Sequence, residues 1–244
     1  MSRITLARLL HLSSQTLPIG GYSHSQGLES AIEQRVVTDA ASLERWLADS
    51  LQFCMGSFEI PCLLAMAGAW DARDAASAAA LNEEYLATRE SAELRSATVQ
   101  MGHSLRALLR ALPDMPIQTT EQLQRMAEPS LPCAWSAAAS AWRIERVDAA
   151  IGYSWAWAEN QVLVAMKTLP LGQSAGHRVL LELGPRIAQI AEDCVASAPG
   201  SWSPEGSCSP EGSWSMRGSR SNFAPGLAIL SSQHETQYSR LFRS

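Results

Sequence analysis

Apolar residues along the chain recur mostly every three or four positions and are broken by proline, glycine and polar clusters. This is the pattern of packed amphipathic helices. Arg3 to Leu12 is the first such run, with Ile4, Leu6, Leu9 and Leu10 on one side. An irregular SSQTLPIGGYSHSQGLE follows, in which Ser23 and Gln26 have capping-box spacing for a helix running to about Gln34. Further helices are expected from Asp39 through Leu51, from Pro61 to Trp70 and from Asp74 to Thr88. Others run from Glu90 to Leu112, from Thr120 to Met126 and from Pro132 to Glu145. The stretch Ile151–Arg178 is apolar on nearly every side, so it should be central, and Leu169-Pro170 should end its helix before a restart near Ser174. Val179–Leu183 and Pro185–Val195 read as two helices parted at Gly184-Pro185. No run alternates as a strand. The pattern is all-α, a single-domain bundle of about ten helices.

After residue 198 the chain changes character. GSWSPEGSCSPEGSWS repeats SPEGS at Ser203–Ser207 and Ser209–Ser213, a composition that buries too little surface to offset its ordering entropy. The expected organisation is a helical body over 1–198, a flexible insert over 199–222 and a C-terminal docking segment over 223–244. That last segment, FAPGLAILSSQHETQYSRLFRS, regains buriable side chains. Its spacing places Tyr238 and Leu241 on one helical face.

Composition narrows the function. The chain has 244 residues and a formal net charge of −5, which argues against non-specific nucleic-acid binding. No run of roughly 18 uninterrupted apolar residues and no signal-peptide pattern is evident, so a cytosolic chain is expected. The five cysteines are scattered and odd in number, as reduced thiols would be. The histidines lie far apart, with neither CxxC nor HExxH, and the expected metal set is empty. Gly20-Gly21 lacks the GK[ST] of a phosphate loop.

Candidate chemistry can then be weighed residue by residue. Ser23 is expected to cap a helix and His24 to lie on the surface, with a helical hydrolase built on Ser23, His24 and Glu29 as the rival. Glu159, Asn160 and Gln161 span about 200° of the helix, too widely to converge on one atom, and read as an internal hydrogen-bond belt. Two readings of Lys167, the only lysine, stand together: a charge favourable to its helix C-terminus, and a contact to an acidic partner. In the tail, His234, Glu235, Tyr238, Arg240 and Phe242 have the composition of a protein interface.

Four segments together resemble the UreF family of urease accessory proteins. They are TLPIGGYSHSQGLE, SAELRSATVQMGHSLRALL, WAWAENQVLVAMKTLPLGQSAGHR and FAPGLAILSSQHETQYSRLFRS. The resemblance implies an all-α cytosolic dimer without catalysis of its own. Such a protein bridges UreD (also called UreH) and the GTPase UreG while nickel is delivered to apo-urease. It implies no directly bound cofactor, nickel being handled by the complex. It points to Tyr22 and Arg240 as positions on which assembly depends, and to Lys167 and Gln173 as part of a UreG-related region. A direct nickel carrier using His24 or His234 is a further alternative. The SPEGS insert departs from the family pattern. Its reach grows only as ~5–6 Å × √n, so it adds freedom to the tail without preventing docking.

Overall fold

The computed structural model describes residues 1–197 and 224–243. The expected insert over 199–222 lies outside the described residues, as do Phe223, Cys208 and Ser244. The first helices are α1 (Arg3–Leu12), α2 (Leu28–Glu33), α3 (Ala40–Ser50), α4 (Ile60–Asp71), α5 (Ala75–Ala87) and α6 (Ala92–Ala111). They are followed by α7 (Ile117–Arg125), α8 (Leu131–Ala141), α9 (Arg146–Thr168), α10 (Gln173–Ala196) and α11 (Pro225–His234). No strand occurs among the described residues.

The helix expected to be central is so. α9 packs against α1, α2, α3, α4, α8 and α10, and Tyr153, Ala158, Val162 and Val164 are buried along it. Trp135 of α8 meets the Tyr153 ring edge-on at 5.3 Å. Helix starts follow the chemistry of their caps: the Asp39 carboxylate accepts from Ser42 N at 2.8 Å, and Ser91 Oγ from Leu94 N at 3.1 Å. α6 and α8 approach so closely that a Cβ on Gly102 would lie 2.0 Å from the Pro129 carbonyl oxygen. Gly102→Ala should therefore cost about 3 kcal/mol in forced backbone movement, offset by about 1 kcal/mol of helix propensity. A net loss of about 2 kcal/mol in urea unfolding is expected. Gly172→Ala, which meets nothing within 4 Å, should be nearly neutral by comparison.

Four sequence expectations are corrected. Ser23 does not cap α2: it lies in a 3₁₀ turn, Gly21–Ser23, and donates its hydroxyl to Gly20 O at 2.7 Å. Gly27 precedes α2 instead, at φ +86°, and a Cβ there would also strike the Leu227 side chain at 2.9 Å. Pro61 does stand in the first turn of its helix, as expected, but no loop sets that helix apart from α3. α3 and α4 are joined by a π-helical segment, Leu51–Glu59, and this wider register precedes the proline that an α turn would oppose. α10 runs unbroken through Pro185, which is exposed beside exposed Leu181, so the carbonyl deprived of its partner faces water. The tail leaves helical geometry after His234, so Tyr238 and Leu241 share no helix. The run Ala40–Asp71 is apolar and long enough to span a bilayer, yet most of its apolar window is buried in the bundle.

Candidate functional site

The tail is clamped to the body by residues from three elements. α11 packs on α2 and α6, and the turns and bends beyond it tie back to Glu29 near the start of α2. His234 is fully buried between two carboxylates: Nδ1 lies 2.8 Å from Glu93 Oε2 and Nε2 lies 2.9 Å from Glu29 Oε2. Glu29 also accepts backbone N–H bonds from Leu241 at 2.7 Å and Phe242 at 3.1 Å. Glu93 takes the Arg240 guanidinium at 2.9 Å on its other oxygen. Each acid thus answers two or more donors of the seated tail, among them the buried imidazole, which could not turn to water.

The clamp extends on both sides. Ser231 Oγ meets Ser91 Oγ at 2.6 Å, and Gln34 donates to Gln233. Glu235 accepts from Ala92 N at 3.0 Å, placing a negative charge against the positive N-terminal end of α6. Arg243 N donates to Ser23 O at 2.8 Å, which ties the chain's end to the Gly20–His24 turn. Lys167 Nζ sits 5.5 Å from the centre of the Phe242 ring.

The structure thus brings Ser23, Glu29, Lys167, His234, Glu235, Arg240 and Phe242 together, but largely by pairing the tail with its own body. Tyr22 and Tyr238 face outward, and Leu241 is 72% exposed. Gln173 is the exposed first residue of α10. The Ser23–His24–Glu29 arrangement is not a charge relay, since the Ser23 hydroxyl is given to Gly20 and the Glu29 carboxylate to the tail.

His24 is buried, not superficial, and burial together with the nearby Arg243 charge lowers its pKa to about 4. In the unfolded chain it would bind a proton near pH ~6.5, so the folded state holds fewer protons between those values. Stability from His24 is therefore complete above about 6.5 and is lost as pH falls towards 4. A loss of about 2 kcal/mol is expected across that window once solvent near the tail groove is allowed for, and His24→Gln should remove the dependence.

A second polar centre, missed by sequence reasoning, lies beneath the first. Glu59, at the end of the π segment, accepts from Tyr85 OH at 2.7 Å, Tyr153 OH at 2.8 Å and Arg89 Nη1 at 3.1 Å. Burial raises the pKa of both phenols, so they remain donors. Burial opposes the Arg89 charge as well, but Tyr85 and Glu59 outweigh it and raise its pKa. These residues border a cavity of about 120 Å³ whose lining also includes Gln161 and Tyr22. The Glu159–Gln161 belt proves less complete than expected: Asn160 donates to His24 O at 3.0 Å, while Gln161 Nε2 has no hydrogen-bond partner among the described residues. Cys62, Cys133 and Cys194 are buried, as structural cysteines commonly are, and burial pushes the Cys133 thiol up to about 12.

The fold and its clamp define an all-helical body that holds its own C-terminal segment as a docked module. A family profile described as UreF matches residues 37–184. Across 99% of its length the chain is 47% identical to "Urease accessory protein UreF" of Dechloromonas aromatica, covering 98% of that protein. It is 46% identical to the Azoarcus sp. protein of that name, with 99% and 96% of the two chains covered. For that of Pseudomonas fluorescens the identity is 44%, over 97% of each chain. The chain belongs to the UreF family of urease accessory proteins.

Proposed function

We propose that this protein is a non-catalytic scaffold for urease maturation, bridging UreD/UreH and the GTPase UreG so that nickel reaches apo-urease. Nickel is cargo of the assembly and is not held by this chain. The observation that carries the reading is the seated tail. It spends His234, Arg240 and Phe242 on its own body while turning Tyr238 and Leu241 outward on the side tied to the Tyr22 turn. Tyr and Arg at a preorganised surface favour tight association, because the ordering cost has been met before the partner arrives. Lys167 and Gln173, exposed at the end of α9 and the start of α10, offer a second edge to UreG. Control of the GTPase follows if that edge favours one nucleotide state of UreG over the other. The protein works in the cytoplasm, as a homodimer within the complex, without nucleic acid or membrane.

The reading is tested by urease activation in cells lacking the native protein. The wild-type chain should restore nickel-loaded urease. Chains with Tyr22→Ala and Tyr238→Ala together should restore much less, at equal soluble level. Full activation by that double variant would refute the proposed surface.

A further inference from the structure

The cavity of about 120 Å³ beside the Gly21–Ser23 turn has a wall with more hydrogen-bond donors than the protein answers. Exposed Tyr22 borders it, so the chamber reaches the surface at that turn. Arg89, Trp135 and Gln161 border it as well. Trp135 and Gln161 are each 1% exposed, and the Arg89 side chain 9%. Among the described residues nothing accepts from Arg89 Nε, Arg89 Nη2, Trp135 Nε1 or Gln161 Nε2. Against these stands one unpartnered buried acceptor on the same wall, Asn160 Oδ1. Buried donors in such excess call for an occupant rich in acceptors.

Arg89 gives the excess a direction. Its guanidinium carbon lies 4.3 Å from the centre of the Tyr85 ring and 5.3 Å from that of Phe58. Nη1 donates to Glu59 Oε2 at 3.1 Å. The plane is thereby fixed, and Nε and Nη2 are left over. Those two nitrogens form one edge of the guanidinium, and their parallel N–H bonds match two oxygens of a single planar group.

The geometry points to a binding site for a small, planar, singly charged oxyanion of the carboxylate type. Arg89 holds it through Nε and Nη2, and Gln161 Nε2 and Trp135 Nε1 supply further donors. The single charge follows from the neighbours. Glu59 already balances Arg89, and Glu90 also borders the cavity, so a dianion would meet two acids with one guanidinium to offset them. The volume limits the occupant to a handful of non-hydrogen atoms. Water answers the wall less well, since each molecule brings two hydrogens to a surface with one free acceptor.

The test uses the full-length chain alone, so it and the partner reading can fail separately. In ¹⁵N–¹H spectra the Trp135 indole signal, assigned by its loss in W135F, should move saturably on addition of sodium formate or sodium nitrate at constant ionic strength. Sulfate, tetrahedral and doubly charged, should bind about tenfold more weakly or worse. Q161M removes one unpartnered donor at similar volume. It should weaken formate binding about fivefold, the worth of one hydrogen bond, while its melting temperature without formate stays level or rises. R89K keeps the charge but loses the parallel pair, and should bind formate at least about tenfold more weakly. Should R89K not fold, Q161M decides. An indole signal that ignores formate and nitrate would overturn the inference and leave the cavity to water only. Equal formate affinity in Q161M, or sulfate bound as tightly as formate, would overturn it too.

Discussion

Glu59→Ala should lower the melting temperature by about 12 °C. Its side chain answers three buried donors at once, Tyr85 and Arg89 from around the end of α5 and Tyr153 from α9. Removal leaves a guanidinium that is about nine-tenths buried without its counter-charge and two phenols without their acceptor. Breaking one side of a buried pair costs about 3–5 kcal/mol, and 1 kcal/mol moves the midpoint of a chain this size by roughly 3 °C. Removing both charges should do less harm, so E59L/R89M is expected to melt well above E59A. Calorimetry of the three proteins checks this. An E59A midpoint within 2 °C of wild type would show that Glu59 is not the hub described.

Glu29→Ala should release the tail and leave the body folded. Glu29 accepts from His234, Leu241 and Phe242, all of them in the tail. Each buried donor left unmade costs about 1–3 kcal/mol, so docking should weaken at least 100-fold. Limited proteolysis would then cut after His234 while the body retains its helical circular dichroism. E29Q keeps one accepting oxygen and should fall between. A protected tail in E29A would mean that the packing of Leu230 and Phe242 holds the segment without the clamp.

The sequence reveals the body better than the clamp. The stripe of apolar positions in α6 and the all-round apolarity of α9 announce helices and their burial, and Asp39 marks the start of α3. Pro61 marks the first turn of α4 but gives no sign of the π segment that joins it to α3, whereas Pro185 misleads because it sits on the wet side of α10. The clamp has no local signature at all. Glu29 and His234 are 205 residues apart, and Glu93 and His234 are 141 apart, so no helical spacing could join them. The resemblance to UreF singled out Arg240 and Tyr22 but not Glu93, whose place in the SAELRS segment is the only trace it leaves. Glu59 was invisible for the same reason, since its partners Tyr85 and Tyr153 lie 26 and 94 residues away. What could be read was the tail's surplus of aromatic and charged side chains; what could not was that most of them would be spent on the chain itself.

Bridging is the centre of the account, and it is measured most directly by mixing the purified chain with UreD/UreH and UreG and running the mixture on a sizing column. One peak containing all three proteins is expected, with loss of UreD/UreH from that peak when residues after Ser231 are deleted. Absence of a common peak, or an unchanged peak after the deletion, would contradict it.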